Sequence, residues 1–182
     1  GSLIKPEEKT YVLINKPKGV STDPEVSEKN VFYLTRKASP YLLKSAGRLH
    51  KSASGLVLLT NDDELLGKLK QNNHKVEKLY HVVLDKKVRQ EDLEKIRKGV
   101  KLDDGYVNPD EVEYVENAPA NELGLKLSSA KNTVIFRLFE KLNYTVSKLD
   151  RVMYAGLTKK DLDRGRWRYL TKQEIINLKN LL

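Results

Sequence analysis

The segment from Gly47 to Asp62 constrains this chain more than any other. It reads Gly-Arg-Leu-His-Lys-Ser-Ala-Ser, then Gly-Leu-Val-Leu-Leu-Thr, then Asn-Asp. A short apolar run bounded by turn residues predicts a buried strand over 55–60. The glycine-bounded polar stretch before it is a loop feeding that strand. Asn61 with Glu64 forms a capping pair for a helix reaching Gln71. In the loop, Arg48, Lys51 and the two serines could hold a phosphate, with His50 in their midst. A lone histidine is more often structural or solvent-facing than catalytic.

The rest of the chain falls into short alternating units. Tyr11 to Ile14 is an apolar strand running into the basic turn Lys16-Pro17-Lys18-Gly19. That turn suits a phosphate contact, although an ordinary basic turn has the same composition. Ser21 to Asn30 is polar and predicts a loop. Lys78 to Leu84 alternates as a strand, and Gln90 to Lys98 is a helix stopped by Gly99. Asp103-Asp104-Gly105 is a turn, and 111–116 and 123–128 pair as strands. Asn132 to Leu142 is an amphipathic helix with Val134, Ile135, Leu138, Phe139 and Leu142 on one face, and with Phe136 and Arg137 directed elsewhere. Ser147 to Tyr154 is a further strand. Thr171 with Glu174 boxes a last helix whose Ile175, Ile176, Leu178 and Leu182 can pack down. Strands and helices without βαβ regularity predict an α+β fold with a mostly antiparallel mixed sheet and flanking helices.

Composition narrows the function classes. Lysine and arginine number 34, of which 25 are lysine, against 25 acidic residues, giving a formal charge of +9. Such a surplus favours a polyanionic partner, and lysine suits phosphate attraction better than base reading. The absence of cysteine excludes a disulfide scaffold, a thiol nucleophile and thiolate zinc. No apolar run approaches the roughly 20 residues of a membrane helix. His50, His74 and His81 lack metal-ligand spacing, and there is no Walker loop, dinucleotide fingerprint or serine-hydrolase elbow. Gly1-Ser2 resembles a cleavage scar, and 1–9 reads as a tail ahead of one domain over 10–182.

The loop closely resembles the GRLDxxSSGLLLLTNDG signature of the RsuA-like ribosomal RNA pseudouridine synthases. Ile14 to Val20 resembles that family's IN-K-P-x-G segment, and Lys78-Leu79-Tyr80-His81-Val82 its K-x-Y-x-V motif. Lys131 to Phe139 is similar to its G-[RK]-N-R-[QE]-V-R-R-[ML]-[FW] motif. Arg151-Val152-Met153-Tyr154, followed by Gly165-Arg166-Trp167-Arg168-Tyr169-Leu170, resembles its close. The resemblance implies a pseudouridine-synthase fold with a central cleft. It implies an isomerase that detaches uracil from ribose in RNA, rotates it and rejoins it through carbon, with no cofactor and no metal. In the family an aspartate of the loop does the covalent or general-base work, a tyrosine stacks on the extruded base, and an arginine pairs with the aspartate. Many members carry a small RNA-binding domain ahead of the catalytic one; only residues 1–10 precede Tyr11 here, so that domain is expected to be absent or trimmed.

The tyrosine position is Tyr80, but the aspartate position is His50 and the arginine position Phe136, with Thr133 and Val134 also departing from the motif. The two losses are mutually consistent, because an arginine without its carboxylate would be an unpaired buried charge. An engineered Asp→His would not explain Phe136, so a naturally decayed site is the preferred expectation. The positive, base-stacking shell that remains is Lys16, Lys18, Arg48, Lys51, Lys78, Tyr80, Lys131, Asn132 and Arg137. The resulting expectation is a pseudoenzyme that binds structured RNA, ribosomal RNA or a pre-ribosomal particle, in ribosome biogenesis. It would act as a monomer outside any assembly, in the cytoplasm or an organelle matrix, with no membrane. An active synthase using a substituted group, for which Asp150 and Asp163 are available acids, and a protein-interaction module remain alternatives. Asn132 could equally cap its helix, and Trp167 reads as core.

Overall fold

The computed structural model describes residues 8–26, 29–129 and 131–182. Residues 1–7 of the expected tail, Ser27 and Glu28 of the expected loop, and Ala130 lie outside the described residues. In chain order the elements are β1 (Tyr11–Lys16), α1 (Val31–Leu34), β2 (Lys44–Ser45), β3 (Ser54–Thr60), α2 (Asp63–Gln71), β4 (Lys78–Leu84), α3 (Gln90–Lys98), β5 (Val100–Leu102), β6 (Gly105–Val107), β7 (Glu111–Tyr114) and β8 (Glu122–Lys126). They continue with α4 (Val134–Lys141), β9 (Val146–Tyr154), β10 (Leu157–Thr158), β11 (Trp167–Tyr169) and α5 (Lys172–Asn180).

The central sheet runs β11-β1-β3-β9-β4-β8-β7, with β10 beside β9 and β2 beside β3. Its pairings are antiparallel except β3 with β9. The fold is thus α+β with a mostly antiparallel mixed sheet, as the residue pattern predicts. Strand β3 is buried throughout and apolar from Leu56 to Leu59, because both faces are covered. Val57 and Leu59 enter one core cluster with Leu93 and Ile96 of α3 and Ile135, Leu138 and Phe139 of α4. Leu56 and Leu58 enter the other with Leu65 and Leu69 of α2 and Leu178 of α5. Truncating the fully buried Phe139 to alanine would cost about 3–5 kcal/mol.

The parallel junction positions the site. It consists of two register pairs, Ser54 with Asp150 and Gly55 with Arg151. A Cβ on Gly55 would lie 2.2 Å from the Arg151 carbonyl oxygen, and Gly55 has φ of +118°. Only glycine fits where the two backbones meet so closely. N-terminal to this junction β9 stays with β4, while the chain before β3 peels away as the 47–53 loop. The sheet forks there.

Three details correct the residue-level expectations. The cap of α2 is Asp62, whose carboxylate accepts from Leu65 N–H at 3.1 Å; Asn61 instead ties down residues 8 and 10. Ile176 is 50% exposed, whereas Leu178 is buried as expected. Helix α4 starts at Val134, and Asn132 spends its side chain elsewhere.

Candidate active site and nucleic-acid interface

Lys16 anchors the site from below. It is fully buried, and its Nζ donates to the carbonyls of Val20 and Ala53 at 2.6 Å, Pro17 at 3.0 Å and Lys51 at 3.4 Å. One ammonium thereby pins the 16–20 turn to the loop entering β3, beside a Gly19 N–H bond to the Lys51 carbonyl at 2.8 Å. Lys78 plays the same part further along, donating to the Asn73 carbonyl and side chain and to the Ser128 carbonyl. Burial first, and then the Arg151 guanidinium, lower both lysines to about 8. The expectation that Lys16 and Lys78 face RNA phosphates is therefore corrected: these ammoniums are buried and satisfied by carbonyl oxygens, which an isolated buried cation requires.

The 47–53 loop is fixed from above by Asn132. Its Oδ1 accepts the His50 N–H at 3.0 Å and its Nδ2 donates to the Arg48 carbonyl at 2.8 Å. Within the loop, Ser52 N–H donates to His50 Nδ1 at 3.0 Å. His50 is exposed, and its ring meets Phe136 of α4 with centroids 5.2 Å apart at 55°. Phe136 also packs against the core cluster that contains Tyr80. Tyr80 itself is 1% exposed, on the fully buried face of β4, whose other face is only partly covered. Its ring lies in the core cluster on which Phe136 packs.

Lys18, Arg48, Lys51 and Lys131 are exposed along this edge. Arg48 approaches Asp23 at 3.8 Å, a loose surface pair of little energetic weight. Arg137 is held by Asp104 of the β5–β6 turn through two bonds of 2.9 and 3.1 Å, so its fork is occupied. Trp167 is partly buried, packs on the core and meets Tyr169 edge-on at 5.3 Å.

A buried ion cluster at the fork was not legible as a unit in the sequence. Asp150, 5% exposed, accepts at Oδ1 from Ser54 Oγ and Arg164 Nη1, both at 3.1 Å, and at Oδ2 from Arg164 Nη2 at 3.1 Å and from Lys159. Burial pushes this carboxyl up, but hydrogen bonds from Arg164 and Lys159 outweigh it and hold the pKa at about 2. Both oxygens are engaged, so Asp150 is an immobilised anion and not a free nucleophile. Asp150 directly precedes the Arg151-Val152 motif, and Arg164 precedes Gly165 of the closing motif. Those adjacencies were the available signal.

Among the described residues no group of three or more His, Asp or Glu side chains is placed to hold a metal ion. Among them, too, no helix is long and apolar enough to cross a membrane.

Comparison with known proteins agrees with this geometry. Residues 10–150 match the family model described as RNA pseudouridylate synthase. The crystal structure of a pseudouridylate synthase superposes with a TM-score of 0.82 at 27% identity, covering 95% of this chain and 75% of that one. An uncharacterised RNA pseudouridine synthase of Aquifex aeolicus (strain VF5) is 33% identical over 100% of this chain and 76% of its own length. Ribosomal large subunit pseudouridine synthase B of Bacillus subtilis (strain 168) is 30% identical over the same shares. The fold is that of the pseudouridine synthases. The chain belongs to the RNA pseudouridylate synthase family.

Proposed function

We propose that this chain binds structured ribosomal RNA through the basic edge around the 47–53 loop and has lost uridine isomerisation. The observation that carries the reading is the His50–Phe136 ring contact. It occupies the two positions that the motif resemblance assigns to an aspartate and its partner arginine. Two aromatic rings replace an ion pair, so neither a carboxylate nucleophile nor its cation is supplied there. Asp150 offers no substitute, because four hydrogen bonds hold its oxygens. The RNA half of the reading is supported by the charge of +9 and by exposed Lys18, Arg48, Lys51 and Lys131. The ribosomal target is supported by the likeness to the Bacillus subtilis ribosomal large subunit pseudouridine synthase B.

Two measurements test it. Mass spectrometry of ribosomal RNA fragments incubated with the protein should find no pseudouridine above background; clear product overturns the loss of catalysis. Binding of the same fragments should weaken steeply with salt, and combined charge reversal of Arg48, Lys51 and Lys131 should abolish it. Affinity unchanged by the triple reversal overturns this RNA surface.

A further inference from the structure

The sheet fork opens into a cavity of about 390 Å³ lined by Lys18, Ser52, Ser54, Ser147, Lys148, Leu149 and Arg164. It sits where the loop strand and β9 separate, beyond the Ser54–Asp150 pair. We propose that this cavity is a phosphate-binding site that receives a backbone phosphate of the bound nucleic acid, an inference resting on the RNA-binding reading above. The family motifs do not contain Lys148 or Arg164 as RNA contacts, so the site adds to the motif-derived surface.

The charges favour a phosphate. Lys18 and Lys148 are exposed, and among the described residues neither makes an ion pair. Arg164 and Lys159 bind Asp150 from the same end. These four cations against one carboxylate leave a net charge of +3 around the cavity. Arg164 spends two nitrogens on Asp150 and Asn15, which leaves further N–H donors of its guanidinium for an anion. The Asp150 carboxylate is 5% exposed behind that guanidinium and fixes its plane. A guanidinium held in this way loses little freedom on binding. Ser54 Oγ and Ser147 Oγ already donate to Asp150 and to the Val83 carbonyl, so among the described residues Ser52 is the lining serine with an uncommitted hydroxyl donor. The volume lies within the ~300–1,000 Å³ of small-molecule sites. Leu149 closes the cavity from the core side, with its side chain buried in the core cluster.

The test is an amide NMR titration with uridine 5′-monophosphate, inorganic phosphate and uridine. Uridine monophosphate and phosphate should shift the amides of Ser52, Lys148 and Leu149, and uridine should not. Lys18→Glu with Lys148→Glu should weaken uridine monophosphate at least tenfold while leaving thermal unfolding in place, since both side chains are exposed. The same variant should lower the log–log salt slope for single-stranded RNA by about 0.7, the share of one phosphate contact. Equal shifts from uridine alone, or phosphate shifts confined to other residues, overturn the site. Retained RNA affinity and slope in the double variant also overturn it while leaving the RNA-binding reading intact. Failure of the unaltered protein to bind RNA at low salt overturns that reading instead.

Discussion

Asn132 grips the His50 backbone: its side-chain oxygen accepts the His50 N–H at 3.0 Å, across 82 residues of sequence. Its amide nitrogen holds the Arg48 carbonyl at 2.8 Å. The 47–53 loop is thus held through its backbone at residues 48 and 50, and the His50 ring adds a bond from Ser52 N–H.

That clamp has a measurable weight. Two hydrogen bonds of about 1 kcal/mol each are lost in Asn132→Ala. Hydrogen exchange of the 48–53 amides should accelerate by about tenfold or more, and RNA affinity should fall several-fold. Asn132→Asp keeps the acceptor for His50 N–H and loses the donor to Arg48, so it should lie between the two.

The second expectation concerns rescue of chemistry. His50→Asp alone should restore little activity, since the new carboxylate would face Phe136 and lack a cation. His50→Asp with Phe136→Arg supplies both partners and is the fairer test. Because the two groups act as a unit, the double variant should exceed the product of the single effects. The readout is pseudouridine in RNA by mass spectrometry. Additive single effects would separate the two positions.

Asp150 sets an acid limit on the fork. Its folded pKa of about 2 lies below the ordinary 3.8, so its contribution is present above pH 4 and is lost as pH falls from about 4 to about 2. The difference corresponds to about 2 kcal/mol. Asp150→Asn should therefore be destabilised by about that amount at pH 7, with the gap to the unaltered protein closing below pH 4. Urea denaturation across pH 2–7 checks the sign and the window.

Gly55→Ala probes the junction itself. The added methyl would meet backbone atoms of Arg151, the carbonyl oxygen at 2.2 Å, and no flexible side chain can yield there. A loss of about 3 kcal/mol or more is expected in chemical denaturation, or failure to fold. Gly47→Ala, which has φ of +78° but open space around the added carbon, should cost less.

Much of the fold was legible locally. The strand in 55–60, the helix ended by Gly99, and the Thr171–Glu174 capping box all follow from residues within a few positions of each other. The short strands β2, β5, β6, β10 and β11 and the four-residue α1 are too brief to show a period, and pairing with neighbours defines them. The cap of α2 is Asp62 and not Asn61: Asn61 is engaged by residues 8 and 10, while Tyr11, far away in sequence, donates its hydroxyl to the second oxygen of the Asp62 carboxylate at 2.5 Å.

The sequence by itself determined the element order, the identity of the loop and the residues at its centre, because these depend on adjacent side chains and turn chemistry. Only the tertiary structure decided which basic residues carry charge to solvent. Lys16 and Lys18 stand two apart in one turn, yet one is buried among four carbonyls and the other is exposed. Only the tertiary structure joined Ser54, Asp150, Lys159 and Arg164 into one cluster, with 96 residues separating Ser54 from Asp150. Burial and long-range ion pairing are properties of the packed chain, since desolvation depends on what closes over a side chain.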